Sequence, residues 1–160
     1  MRKYLTKTNL LHLLTLLIII TGTAICSIYF YQLALINGES MSPAYNGLEF
    51  VIIDKTSDVY ERGEVIALGS NAAKGNLIKR IAAKEYDTII ILDGTLYVNG
   101  EEIPYFQSIE YAGIAENEIT LKEGEYFVIG DNTKESRDSR YAEIGIIKRE
   151  DIIGRIIPQR

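Results

Sequence analysis

Residues 88–98 read Thr-Ile-Ile-Ile-Leu-Asp-Gly-Thr-Leu-Tyr-Val, so two short runs of mostly β-branched and apolar residues flank an Asp-Gly pair. Both residues of that pair tolerate the positive φ angles of a two-residue hairpin turn, and the stretch therefore predicts two antiparallel strands. Runs of the same kind recur outward in both directions, at 50–53, 65–68, 77–81, 126–129 and 152–157. The body of the chain, residues 37–160, is predicted to be a mainly β domain, with the polar segment 101–125 as an excursion from its core.

A long apolar segment precedes this body. Residues 10–36 contain no Asp, Glu, Lys or Arg, and about 20 apolar residues are enough for a helix to cross the hydrocarbon core of a membrane. We expect one transmembrane helix over 10–36, preceded by a basic tail over 1–9. We expect a single-pass protein of the cell membrane. Because basic residues favour the cytoplasmic side, the tail is expected in the cytoplasm and residues 37–160 outside it.

Two other interpretations of the apolar segment were weighed. A cleaved secretory signal peptide would have a shorter apolar core followed by a pair of small residues, and residues 10–36 do not match that description. A lipoprotein anchor at Cys26 would favour a small residue before the cysteine, where this chain has Ile25. A membrane-spanning helix explains the segment best.

Charge and composition exclude several classes of function. The chain has 17 basic and 22 acidic residues. With three basic residues and no acidic residue in the tail, the body is strongly acidic, which argues against nucleic acid as a partner. The one cysteine rules out an internal disulfide, and the one histidine, His12, lies in the apolar segment. The body therefore offers no Ser-His-Asp triad and no His-based zinc site, so we expect no metal or cofactor and a catalytic base other than histidine.

A serine follows the apolar segment directly. Residues 37–43 read Asn-Gly-Glu-Ser-Met-Ser-Pro, so Gly38 and Pro43 bracket a short turn that would present Ser40 in a fixed pose. Taken alone, a serine in such a turn is usually only a turn residue.

A lysine occupies a position that is a candidate for partial burial. In a strand over 77–81, Leu77, Lys79 and Ile81 share one face. Burial between two apolar neighbours would lower the pKa of the amine and make it a usable base near neutral pH. The alternative is an exposed lysine that protects an edge strand from aggregation.

A polar loop follows the strand predicted at 126–129. It reads Gly-Asp-Asn-Thr-Lys-Glu-Ser-Arg-Asp-Ser-Arg over 130–140. Such a loop is usually solvated and rich in local turns. This one also contains a hydroxyl that could orient an amine and charged pairs that could hold the loop.

These elements, in this order after an apolar segment, closely resemble bacterial type I signal peptidases (signal peptidase I, peptidase family S26) of the Gram-positive form with one membrane anchor. The resemblance covers nearly the whole chain. Its motifs are Ser-Met-x-Pro at 40–43, Arg-Gly-Glu-Val-Ile at 62–66, Lys-Arg at 79–80, Val-Asn-Gly at 98–100 and Gly-Asp-Asn with Ser-x-Asp-Ser-Arg at 130–140.

The resemblance implies a signal-peptidase-type folded β-sheet catalytic domain with a Ser/Lys dyad, without cofactor. Ser40 would attack the scissile carbonyl and neutral Lys79 would take its proton. Ser136 matches the family serine that forms a hydrogen bond to the lysine amine. Charged pairs that brace the region are implied at Asp138 with Arg140.

The same resemblance implies a second bracing pair and the surroundings of the nucleophile. The second pair is Asp131 with Arg80. The oxyanion would be held by backbone N–H groups, including that of Ser40, with Gly38 and Met41 nearby. Some family members have a side-chain hydroxyl at the position of Gly38, which glycine cannot supply.

The implied activity is removal of signal peptides from exported preproteins, with cleavage after small residues at the outer face of the membrane. Preproteins and membrane lipid are the implied partners, with the secretion translocon as a further candidate. Departures from the family pattern at 83–87 and after Arg140, together with Glu64 and Thr133 where Asp and Arg are common, suggest a specialised member.

Two alternatives to a preprotein-processing protease were considered. One is a non-proteolytic homologue that acts as an assembly or chaperone factor for surface structures, although such a scaffold needs neither Ser40 nor Lys79. The other is a self-cleaving repressor-type peptidase, which would carry a DNA-binding domain where this chain has its apolar segment.

Overall fold

The structure is a computed structural model that describes residues 7–69, 76–106 and 108–158. It begins with one helix, α1 (Lys7–Phe30), whose side chains from Asn9 onward are exposed. The segment Asn9–Phe30 is long and apolar enough to cross a membrane. α1 is therefore consistent with a membrane anchor.

The helix ends before the predicted limit of the apolar segment at residue 36. α1 ends at Phe30, and the chain passes there directly into strand β1 (Tyr31–Asn37). β1 pairs along its whole length with β2 (Leu48–Asp54) in antiparallel register. Residues 31–36 are mostly apolar and uncharged like the helix before them, so only this long-range pairing distinguishes strand from helix.

The remaining strands form two antiparallel sheets. The large sheet has seven strands in the order β1-β2-β11-β3-β4-β9-β10, and the small sheet has four in the order β7-β6-β5-β8. The further strands are β3 (Val65–Leu68), β4 (Leu77–Ala83), β5 (Thr88–Leu92), β6 (Thr95–Val98), β7 (Glu101–Glu102), β8 (Ile119–Thr120), β9 (Glu125–Ile129), β10 (Ile147–Lys148) and β11 (Ile152–Ile156). Short 3₁₀ helices lie at Gly113–Glu116 and Arg149–Asp151.

The mainly β prediction is confirmed, and so is the hairpin from which it started. β5 and β6 pair from Ile89 with Val98 to Leu92 with Thr95. Asp93 and Gly94 between them have φ angles of 47° and 78°, as a type I′ turn requires.

The polar segment 101–125 is not the excursion that its composition predicts. It supplies β7, a 3₁₀ helix and β8, and four of its apolar residues are buried. Phe106, Ile109, Ala115 and Leu121 form one core with residues of the small sheet and with Phe127 of β9. The apolar residues are too widely and unevenly spaced to predict this packing.

The two sheets meet at Asp87, a buried carboxylate at the start of β5. It accepts hydrogen bonds from Arg62 Nε at 2.8 Å, from the backbone N–H of Lys84 at 2.9 Å and from Asn99 Nδ2 at 3.0 Å. These bonds connect the loop before β3, the turn after β4 and the end of β6. The small sheet is thereby held against the strand that carries the candidate lysine.

An exposed apolar surface continues from α1 onto the large sheet. Directly opposite pairs in the β1–β2 register include Leu33 with Ile52 and Leu35 with Phe50, which therefore share a face. We call this the ribbon face; its exposure runs from 44% at Ile52 to 67% at Leu33. It begins where the apolar helix ends, so the two surfaces are continuous.

Candidate active site

Ser40 lies in the turn between β1 and β2, and apolar residues anchor that turn. Met41 and Tyr45 are buried in a core with Val51 and Val65. The backbone N–H of Tyr45 donates to Met41 O at 3.0 Å. Gly38 enters the turn with a φ of 140°, a region that favours glycine. The turn therefore holds Ser40 through the packing of its neighbours.

Lys79 lies in the middle of the large sheet, paired with Ile66 of β3. The lysine is only 2% exposed and β4 lies between β3 and β9, so of the two interpretations left open by the sequence the structure shows burial and not an edge strand. Its Nζ donates to Ser40 Oγ at 2.8 Å and to Ile78 O at 3.0 Å. The structure thus brings together the serine and the lysine that the motifs singled out, 39 residues apart in sequence.

Burial lowers the pKa of the Lys79 amine from 10.5 to about 8, because desolvation disfavours the charged form. The charges of Asp138 and Asp131 oppose this shift, and that of Arg140 adds to it. With a pKa of about 8, roughly a tenth of the amine is neutral at pH 7, compared with less than a thousandth at the ordinary value. A neutral amine beside a hydroxyl can accept its proton.

This burial predicts a pH-dependent gain in stability when Lys79 is replaced by methionine. The unfolded chain binds the lysine proton more tightly than the folded one, so wild-type stability rises between about pH 8 and 10.5. Below pH 8 the lowered pKa reduces the free energy of unfolding of the wild type by on the order of 3 kcal/mol. Denaturant unfolding should therefore show Lys79→Met more stable than wild type at pH 7, by about 1–3 kcal/mol, with the gap narrowing toward pH 10.

The exposed Lys122 offers a matched control, since Lys122→Met should show no such pH-dependent gap. A gap for Lys79→Met that stays constant between pH 7 and pH 10 would contradict a folded-state pKa near 8.

The loop after β9 packs against the backbone of the nucleophile. The N–H of Asn132 donates to Ser40 O at 3.1 Å, and the N–H of Gly130 donates to Asp138 Oδ2 at 3.1 Å. A Cβ atom at position 130 would collide with Ser136 Oγ and Ser40 O. The close approach of this loop to Ser40 therefore requires a glycine at 130.

Ser136 is buried beside the site but does not make the predicted hydrogen bond. Its Oγ has no hydrogen-bond partner among the residues that the structure describes. The amine of Lys79 donates instead to Ser40 and to the Ile78 carbonyl, while Ser136 Oγ lies against Gly130. An unpaired buried hydroxyl costs about 1–3 kcal/mol.

The predicted pair of Asp138 and Arg140 is confirmed and lies in the protein interior. Arg140 Nε and Nη2 donate to Asp138 Oδ1 and Oδ2 at 2.8 and 2.9 Å. Arg140 Nη2 also reaches Thr133 O at 2.8 Å and Ser136 O at 3.2 Å. One arginine therefore joins both ends of the loop that borders Ser40.

The predicted pair of Asp131 and Arg80 is confirmed as well. Arg80 Nε and Nη2 donate to Asp131 Oδ1 and Oδ2 at 2.8 and 2.6 Å, and Arg80 Nη1 donates to Gly63 O at 2.6 Å. Sequence reasoning missed Tyr105, whose hydroxyl donates to Asp131 Oδ2 at 3.0 Å. No motif or spacing singles out a tyrosine in a segment read as irregular.

A small cavity opens beside Ser40 and Lys79. Its volume is about 100 Å³, and its walls come from β1, the Ser40 turn and the first residues of β4. Their apolar side chains are Leu35, Ile36, Met41, Leu77 and Ile78. A larger groove of about 830 Å³ lies across Tyr45, Arg80 and Arg155, but neither Ser40 nor Lys79 lines it. We take the small cavity as the candidate substrate pocket because it contains the reactive pair.

Within residues 7–69, 76–106 and 108–158, no group of three His, Cys, Asp or Glu side chains could hold a metal ion.

Comparison with known proteins identifies the family to which this chain belongs. The chain belongs to the signal peptidase family, peptidase S26, whose profile matches residues 7–158. Members of this family are peptidases that remove signal peptides.

Two relatives from bacilli illustrate the degree of similarity. Signal peptidase I U of Bacillus subtilis (strain 168) is 31% identical over 137 residues, which cover 78% of this chain and 73% of the relative. Signal peptidase I of Bacillus amyloliquefaciens is 30% identical over 139 residues, which cover 79% and 72%. A crystal structure of a signal peptidase I from Enterococcus faecalis V583 covers 62% of this chain and 97% of its own, with 28% identity and a TM-score of 0.49.

Proposed function

We propose that this chain is a membrane-bound serine endopeptidase that cuts signal peptides from exported preproteins, with Ser40 as nucleophile and Lys79 as general base. One observation carries the proposal: the Lys79 amine, whose pKa burial lowers to about 8, lies 2.8 Å from Ser40 Oγ. That distance is within the range required for direct proton transfer.

The reaction would proceed in two halves. Neutral Lys79 takes the Ser40 hydroxyl proton as Oγ attacks the scissile carbonyl, and the resulting ammonium gives that proton to the departing amine of the mature protein. The signal peptide then remains as an ester on Ser40. Lys79 next takes a proton from water, hydroxide adds to the ester carbonyl, and the proton returns to Ser40 Oγ as the signal peptide leaves.

The oxyanion would be held by backbone N–H groups of the turn, including that of Ser40. Since Gly38 has no side-chain donor, the turn backbone has to supply this stabilisation. Met41 would support the donor indirectly, because its burial fixes the backbone next to Ser40.

Ser136, Asp138 and Arg140 would act as support for the base. Ser136 Oγ and Ser40 O flank the same point beside Gly130. During catalysis Ser40 Oγ becomes bonded to the substrate, and the unpaired Ser136 hydroxyl would then offer the Lys79 ammonium an acceptor. The buried pair of Asp138 and Arg140 keeps that loop in place.

The cavity beside Ser40 would set the preference for small residues before the cleaved bond. A volume of about 100 Å³ accommodates a side chain the size of a methyl group and not a long one. Leu35→Ala should enlarge it at little cost in stability, because Leu35 is about half exposed. For a substrate with valine before the scissile bond, the ratio of its kcat/KM to that of the alanine substrate should be about tenfold higher in Leu35→Ala than in wild type.

Leu33→Ala is the matched control for this specificity change, since Leu33 lies on the same strand and face but outside the cavity. Unchanged selectivity in Leu35→Ala, measured as the ratio of kcat/KM for the two substrates, would show that another surface selects the residue.

Membrane location is supported by α1 together with the ribbon face. The apolar surface continues from the helix onto β1, three residues before Ser40. We place the N-terminus in the cytoplasm and the β domain outside, with lipid against the ribbon face and Ser40 near the outer surface of the membrane. An interaction with the secretion translocon remains a prediction from the sequence.

This orientation can be tested by cysteine labelling in a Cys26→Ser background. A membrane-impermeant thiol reagent should label Glu101→Cys, on the exposed β7, in intact cells. It should label Lys3→Cys only after the membrane is permeabilised. The opposite pattern would place the β domain in the cytoplasm and exclude cleavage at the outer face.

A further inference from the structure

We propose that Tyr105 is a positioning residue for the Ser40–Lys79 pair: its hydroxyl and ring clamp the Arg80–Asp131 ion pair and thereby hold the backbone that supports Ser40. The role in catalysis rests on the proposed function. The clamp itself is a property of the fold and can be tested without activity.

Tyr105 contacts both members of the ion pair in different ways. Its hydroxyl donates to Asp131 Oδ2 at 3.0 Å, while the Arg80 guanidinium lies 4.7 Å from the centre of its ring. Asp131 Oδ2 thus accepts from both Arg80 and Tyr105. The hydrogen bond and the cation–π contact both favour the same arrangement of the ion pair.

The ion pair joins the strand that carries Lys79 to the loop that contacts Ser40. Arg80 directly follows Lys79 in β4, and Asp131 lies between Gly130 and Asn132. The N–H of Asn132 donates to Ser40 O at 3.1 Å, and Gly130 packs against the same carbonyl. A shift of Asp131 is therefore transmitted to the backbone of the nucleophile.

Tyr105 follows β7 of the small sheet, and its neighbours in sequence are bonded to and packed against that sheet. The N–H of Ile103 donates to Leu96 O of β6 at 2.9 Å, and the N–H of Phe106 donates to Ile103 O. Phe106 is buried in the core of the small sheet. Tyr105 itself is 55% exposed, so its contacts with the ion pair, and not its own burial, connect the small sheet to the site.

Graded substitutions separate the two contacts. Tyr105→Phe keeps the ring over Arg80 and loses the hydroxyl, and we expect kcat to fall about threefold. Tyr105→Leu loses both contacts, and we expect a fall of about tenfold. KM should hardly change, since Tyr105 does not line the cavity beside Ser40. Tyr86→Phe, on an exposed tyrosine, is the control and should match wild type.

A double-mutant cycle tests the route through Asp131. If Tyr105 acts through that carboxylate, Tyr105→Phe should have no further effect on kcat in an Asp131→Ala background, which lacks the hydrogen-bond acceptor. Additive losses, or losses that follow the fall in melting temperature alone, would overturn the positioning role.

Hydrogen exchange makes the inference testable without turnover. In Tyr105→Leu, the amides of 130–132 should exchange faster than in wild type or in Tyr86→Phe, because Asn132 N–H is bonded to Ser40 O. Unchanged exchange would overturn the clamp, whatever the activity. If exchange rises but wild type shows no cleavage that depends on Ser40, the proposed function fails and the clamp stands.

Discussion

Replacing Ser40 with alanine should reduce cleavage of a preprotein by at least about 10³-fold, because Ser40 Oγ is the hydroxyl that the Lys79 amine contacts among the described residues. Lys79→Met should reduce it as much. The double variant should be no worse than either single one, since the two groups act in the same step. The measurement is the rate of signal-peptide release from a purified preprotein, with enzyme in detergent.

Two further variants sharpen this test. Lys79→Arg keeps a positive charge at the site, but a guanidinium stays protonated and cannot accept the serine proton, so it should also be inactive. Ser42→Ala removes a hydroxyl from the same turn, where Ser42 Oγ donates to Asn46 Oδ1, and should cleave at nearly the wild-type rate. Substantial turnover by Lys79→Arg would contradict a general-base role for the lysine.

Gly130→Ala should be the most damaging substitution outside the reactive pair. The added methyl group meets Ser40 O, a backbone atom, as well as Ser136 Oγ and Cβ. Either the nucleophile turn or the loop after β9 must therefore move. A displacement of about 1 Å at a catalytic centre can lower the rate on the order of 10²-fold, and we expect kcat to fall by about that factor.

Two glycine controls distinguish displacement of Ser40 from general destabilisation. A Cβ atom at Gly69 makes only ordinary contacts, so Gly69→Ala should resemble wild type. A Cβ atom at Gly154 would collide with Asp54 O, where β11 pairs with β2. Gly154→Ala should therefore lose stability while the folded fraction keeps its kcat. A Gly130→Ala enzyme that retains wild-type kcat would show that the loop does not fix the position of Ser40.

Local chemistry made the β architecture predictable. The Asp93-Gly94 turn specifies its hairpin through backbone angles alone, and the runs around it fall within observed strands. The end of α1 was not predictable in this way. Residues 31–36 carry no charge and continue the apolar segment, and only their pairing with β2, which begins at Leu48, makes them a strand.

The candidate site, too, was predictable only in part. The family motifs indicated Ser40, Lys79 and both ion pairs, and the structure brings each of these groups together. The hydrogen bond of Ser136 depends on side-chain orientation in a buried loop, and there the expectation was wrong. Tyr105 reaches Asp131 across 26 positions of sequence, from a segment whose fold was itself misjudged.

Burial of Lys79 connects function with stability. The same desolvation that lowers the pKa of the amine toward neutrality removes a favourable charge from water. A scaffold without proteolytic activity would gain nothing from this cost. The assembly-factor alternative is for that reason the weaker explanation, and it predicts that Ser40→Ala leaves the cellular phenotype intact.

The pH dependence of covalent capture of Ser40 tests the Ser40–Lys79 assignment most directly. A signal-peptide-derived peptide that ends in an alanine-type fluorophosphonate is reacted with wild type and with Lys79→Met between about pH 6 and 10, and the adduct is located by mass spectrometry. We predict a single adduct on Ser40, a rate that rises with pH to a plateau with a midpoint near the lysine pKa of about 8, and almost no reaction in Lys79→Met. An adduct on another residue, or capture of Ser40 that is equally fast in Lys79→Met, would contradict the assignment.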